Sequence, residues 1–101
     1  MSSHIPKKFK MGGQEIKVIV KKNINKEGAI GLYRSHHNEI HVQTHLDGEP
    51  LPKTQVHQTF CHEYIHALLD ACRREELCGD EDLVDLMAEF LYQSLGSKIF
   101  Q

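Results

Sequence analysis

The sequence predicts an α+β fold: a small antiparallel sheet of three to four strands in the first half, followed by two helices. Three observations carry this. Apolar residues alternate with polar ones at Ile16, Val18 and Val20 and again at Ile40 and Val42, the period of a strand with one wet face. From about Lys53 the apolar spacing lengthens to the threes and fours of a helix and holds that period, with one break, to Leu95. Between the two regimes stand Gly48, Pro50 and Pro52, which end the strand region.

In order, residues 1–8 carry Pro6 and polar groups and read as a flexible arm. Phe9–Met11 and Gln14–Lys22 flank Gly12-Gly13, the residue type that supplies positive φ in a tight hairpin turn. Ala29–Tyr33 is a short strand, and Ser35-His36-His37-Asn38 is a turn rather than a second metal site. Glu39–Thr44 alternates again, with Ile40 and Val42 inward and His41 and Gln43 outward, so that the sheet occupies residues 9–46. A first helix from about Lys53 to Arg73 turns Cys61, Ile65, Leu68 and Cys72 toward the sheet. Asp80 is a suitable N-cap for a second helix, about Glu81 to Leu95, whose apolar face is Val84, Met87, Ala88, Leu91 and Leu95. The helical region thus covers 53–95. Gly96 reads as its stop, leaving 96–101 as a tail.

The 101 residues fit a single domain, 1–101, with one modest core. A formal net charge of −2 argues against general attraction to nucleic acid or an anionic membrane, and none is expected as a partner. Lysines gather in the first quarter, where alternate lysines on a strand read as a solvated face. No apolar run spans a bilayer and no signal-like segment follows Met1, so a cytoplasmic location is expected. The three cysteines, Cys61, Cys72 and Cys78, match no zinc ribbon or redox pair, and buried small side chains are the plainer reading for the first two.

The first helix contains His62-Glu63-Tyr64-Ile65-His66. Positions i and i+4 lie roughly 40° apart around a helix and about one turn apart along it, so both imidazoles leave one face. They converge as zinc requires, since it takes neutral nitrogen ligands at about 2.0–2.1 Å. Glu63 lies beside that point, where a carboxylate can accept a proton from water held by the metal. Short patterns of this kind also arise by chance on helix surfaces. Here the apolar neighbours Phe60, Ile65, Leu68 and Leu69, and the acid-rich helix that follows, favour a zinc site.

Catalytic zinc usually takes three protein ligands. Among Asp80, Glu81, Asp82, Asp85 and Glu89, helical phase favours Glu81, which lines up with Val84 and Ala88 on the packed face. Asp85 comes next and Asp82 behind it. These acids also suit a helix N-terminus through its dipole alone. A thiolate from Cys78 ranks below any carboxylate.

Thr59–Leu69, followed by Asp80–Val84 and Phe90–Gln93, resembles the small zinc metallopeptidases of phages and mobile elements, the ImmA/IrrE-like and minimal gluzincin proteins. That resemblance implies a zincin-like fold: a small twisted sheet, an active-site helix and a glutamate-bearing helix, with zinc between the helices. By it, His62 and His66 are ligands, Glu63 is the general base and Glu81 the third ligand, although the cluster Glu81-Asp82-x-x-Asp85 leaves the position of the acid open. Cys72 stands where the third histidine of metzincins would fall, which argues against that branch. Minimal gluzincins can be self-blocked, and the tail, with Ile99 and Phe100, is a candidate to reach the cleft.

The expected activity is hydrolysis of a peptide or protein substrate, with the peptide added as a strand along Glu39–His45. His41 and His45 would then flank the cleft, and one of them or Tyr33 could steady the oxyanion; exposed polar residues on a wet strand explain them equally. The alternative is a zinc-stabilised, non-catalytic or latent partner-binding protein of a phage or mobile element.

Overall fold

The computed structural model describes residues 5–100. Strand β1 (Lys8–Met11) pairs with β2 (Gln14–Lys21) in an antiparallel hairpin, turned by Gly12 at φ 58° and Gly13 at φ 84°. Strand β3 (Gly31–Arg34) pairs antiparallel with β4 (Glu39–Gln43) across a turn that includes His36 and His37. The two hairpins join through β2 and β4, which run parallel, Val18 opposite Ile40 and Val20 opposite Val42.

The sheet is therefore mixed, in the order β1-β2-β4-β3, where an antiparallel one is expected from the pattern. The reason is burial. Ile40 and Val42 have no exposed surface, so β4 is drawn to the interior of the sheet and its hairpin partner β3 is left at the edge. Interior placement also overrides the expected outward face of β4. His41 and Gln43 are buried, the first bonded to Glu39 at 3.0 Å and the second accepting from the Ile24 amide at 3.1 Å.

After β4, a two-stranded hairpin forms from β5 (His45–Leu46) and β6 (Glu49–Pro50), where a plain loop is expected. Its turn uses Asp47 at φ 52° and Gly48 at φ 81°. Helix α1 (Lys53–Ala71) then crosses the sheet, a short helix α2 (Glu75–Cys78) follows, and α3 (Glu81–Ile99) packs along α1. Phe60, Cys61 and Val84 are fully buried between these layers. Cys72 lies beyond the end of α1 and is exposed, so it drops out of the expected stripe.

The chain ends differ from expectation as well. Residues 1–4 of the expected arm lie outside the described part, and Ile5 is buried in the core with the Lys7 carbonyl accepting from the Val18 amide at 2.8 Å. Gly96 does not stop the second helix, which continues to Ile99. A Cβ there would sit 3.0 Å from the ring of Tyr92, so glycine serves the close packing of that ring. Leu95, expected on the apolar face, is exposed.

Phe60→Ala, which removes the largest fully buried side chain, is expected to cost about 3–5 kcal/mol of unfolding free energy, read from urea denaturation of the metal-free protein.

Candidate metal centre

The histidines come from the middle of α1 and the acids from the first turns of α3, so the centre spans the interface between the two helices. Asp80 caps α3, its side chain accepting from the Leu83 amide at 3.2 Å, which fixes where Glu81 leaves the helix. Glu81 then reaches across to α1. Its carboxylate lies 3.1 Å from Nε2 of His62 and 3.5 Å from Nε2 of His66, and the two Nε2 atoms are 3.2 Å apart. The three residues form a group whose ligand atoms all lie within 4.8 Å of one another, and this group can hold a metal ion.

The chemistry of the donors fits a cation. Each ring spends its other nitrogen elsewhere: Nδ1 of His62 meets the Asp85 carboxylate at 2.7 Å, and Nδ1 of His66 meets Sγ of Cys78 at 3.0 Å. With both imidazoles neutral and Nδ1 protonated, both Nε2 atoms are acceptors. Two lone pairs and a carboxylate then face one another, an arrangement that repels unless a positive charge sits among them. The spacing also fits. Ligands about 2.0–2.1 Å from a tetrahedral zinc stand roughly 3.3 Å apart, close to the 3.2 Å between the two ring nitrogens and to the contacts that Oε1 and Oε2 of Glu81 make with His62 and His66. Burial, then His62, hold His66 below its ordinary pKa, which favours the neutral ligand form.

Asp85, second in the sequence ranking for third ligand, sits on the far side of the His62 ring. There it orients the imidazole, as carboxylates commonly do behind metal-bound histidines. Asp82 is exposed and lies outside the group. Cys78 also lies outside it. Burial, then Asp70 and Glu81, push its thiol up, which disfavours the thiolate a metal would need.

Glu63 points into the crevice between α1 and β3 and is 8% exposed. Burial pushes its carboxyl up to about 7; His62 opposes this and Glu81 adds to it. The crevice exists because residue 31 is glycine. A Cβ on Gly31 would lie 2.6 Å from Cγ2 of Thr59 and 2.9 Å from Oε2 of Glu63. His62, Glu63, His66 and Glu81 line a cleft of about 620 Å³ whose opposite wall is Gly28, Ala29, Ile30 and Gly31.

Other expected neighbours are elsewhere. Because β4 is interior, Glu39–Gln43 offers no free edge, and His45 belongs to the separate β5–β6 hairpin; the edge beside the cleft is β3. His41 and His45 do not line the cleft. The Tyr33 hydroxyl donates to Oδ2 of Asp70 at 2.7 Å in a separate cavity of about 360 Å³. Burial, then that bond, raise Tyr33 above the ordinary phenol range. Phe100 stacks on His57 with centroids 4.0 Å apart and meets Phe60 and Tyr92, so the described tail joins an aromatic cluster and not the cleft. Gln101 lies outside the described residues.

No helix among the described residues is long and apolar enough to cross a membrane. Comparison with protein-family models, curated proteins and solved structures gives no match.

Two outcomes are expected from this geometry. The Glu63 carboxyl carries a folded-state pKa of about 7 against an ordinary 4.5, so its contribution to stability is full below pH 4.5 and is lost as pH rises through 7. Metal-free Glu63→Gln should therefore exceed wild type by up to about 3 kcal/mol at pH 8 and lose that advantage near pH 4.5, measured by denaturant titration at both values. Gly31→Ala should lower stability by about 1–3 kcal/mol in the same assay through overpacking against Thr59 and Glu63.

Proposed function

We propose that the chain is a zinc-dependent peptidase of zincin-like architecture, in which His62, His66 and Glu81 hold the metal and Glu63 is the general base. The observation that carries this reading is the convergence of His62, His66 and Glu81, whose ligand atoms lie within 4.8 Å of one another, beside a buried carboxylate at the wall of an open cleft. A site built only for structure closes all four positions with protein ligands and has no use for a neighbouring base.

When bound, zinc supplies Lewis acidity, acidifying water and polarising a peptide carbonyl. The chain's own residues do the remaining work. Glu63, held in a crevice that limits water, takes a proton from the attacking water and returns it to the leaving amine. Asp85 keeps the His62 ring turned toward the metal. An extended peptide finds backbone partners on the outer edge of β3. Gln43 bonds inward to the Ile30 carbonyl at 2.8 Å, so the alternation of an antiparallel ladder turns the amide and carbonyl of Gly31 outward, beside Glu63.

The test combines metal content with hydrolysis of an unfolded protein. Wild type is expected to take up one zinc per chain, His62→Ala and Glu81→Ala to lose it, and Asp85→Ala to bind about 10–100-fold more weakly. Glu63→Gln should keep the zinc and lose at least about 100-fold in rate. Zinc uptake unchanged in Glu81→Ala would overturn the ligand set. Zinc-loaded wild type that cuts nothing, with or without residues 97–101, would favour a non-catalytic partner-binding protein.

A further inference from the structure

The segment between the two long helices has a job that the metal ligands do not explain. Helix α1 ends at Ala71, Arg73 takes a left-handed φ of 61°, and the single turn of α2 brings the chain back toward α1. Its last residue, Cys78, thereby returns to a histidine twelve positions earlier. Sγ lies 3.0 Å from Nδ1 of His66 and 3.6 Å from the carbonyl oxygen of the same residue. A thiol has one weak donor and one weak acceptor. The carbonyl can only accept, so S–H donates to it. Sulfur is then left to accept from Nδ1–H of the ring.

We propose that Cys78 is a positioning residue, which holds His66 in the Nδ1–H tautomer so that Nε2 presents its lone pair to the metal. This rests on the reading of His62, His66 and Glu81 as a metal site. Cys78 does for His66 what Asp85 does for His62, with a different charge. Glu81 is already at the cluster, Glu63 is buried beside it and Asp85 lies 2.7 Å from His62. A further carboxylate behind His66 would add repulsion to a group of acids, whereas a neutral thiol orients the ring without adding charge. Sγ is on the Nδ1 side of the ring, opposite the atom that faces Glu81, so the thiol steers a ligand without being one.

The experiment uses the full chain as wild type, Cys78→Ala, Cys78→Ser and, as a control, the exposed Cys72→Ala. Long-range 1H–15N spectra of the metal-free proteins at pH 8 read the His66 tautomer, and competition with a chromophoric chelator reads zinc affinity. In wild type and Cys72→Ala, His66 should be the Nδ1–H form. In Cys78→Ala the tautomer should become mixed and zinc affinity should fall about 10–100-fold at unchanged stoichiometry. Serine, which keeps a donor and an acceptor, should recover the tautomer and most of the affinity. A merely structural role would leave the tautomer unmoved.

If Cys78→Ala takes up zinc with wild-type affinity and tautomer, the proposal is overturned while the metal site stands. If alanine and serine weaken zinc equally, hydrogen bonding is not the cause and the proposal is likewise overturned. No zinc uptake by wild type sinks the metal reading and this role with it, and the tautomer spectra then report on the Cys78 contact alone.

Discussion

Nε2 of His62, Nε2 of His66 and the carboxylate of Glu81 meet where the two long helices pack: the ring nitrogens are 3.2 Å apart, with Oε1 of Glu81 3.1 Å from the first and Oε2 3.5 Å from the second. With both rings neutral and protonated on Nδ1, such a group is repulsive on its own and attractive around a cation. The protein assembles it by burying Cys61 and Ile65 of α1 and Val84 and Ala88 of α3 in one core. Apolar burial, at roughly 25 cal/mol per Å², supplies the free energy that a cluster of acceptors cannot supply for itself. Helix packing and the candidate metal group thus share one interface.

Glu63 shows a related tension beside the two histidines, in the same cleft. A carboxyl held at 8% exposure loses hydration, which disfavours its charged form and lifts its pKa to about 7. Gly31 makes this possible because the backbone of an edge strand comes close enough to cover the carboxyl without a side chain in the way. The same approach leaves the outer edge of β3 facing the cleft. One glycine therefore links the burial of this carboxyl to the edge strand beside the cleft.

The site was legible where its information is local. His62 and His66 share a helical face by spacing, and the phase of Glu81 against Val84 and Ala88 ranks it first among the acids around it while leaving Asp85 and Asp82 open. The hairpin at Gly12-Gly13 and the Asp80 cap are local as well, and both appear as their sequences suggest. The Asp47-Gly48 turn carried a hairpin signal of the same kind, but the neighbouring prolines obscured it. The contacts of Gly31, Asp85 and Cys78 had no local signal. Each acts on a residue distant in sequence, and only chain packing brings the pairs together.

The sequence by itself determined the α+β order, the two long helices and the convergence of His62 with His66, because 3.6-residue and 2-residue periods are properties of the local backbone. Tertiary structure alone decided that β4 is interior and parallel to β2, that β3 is the edge over the cleft, and that α3 runs past Gly96. It also decided that Asp85 and Cys78 stand behind the two rings while Glu81 stands before them. The physical reason is that strand order, the partners of the two rings and glycine placement follow from burial and hydrogen-bond satisfaction between distant segments, which no periodicity within one segment encodes.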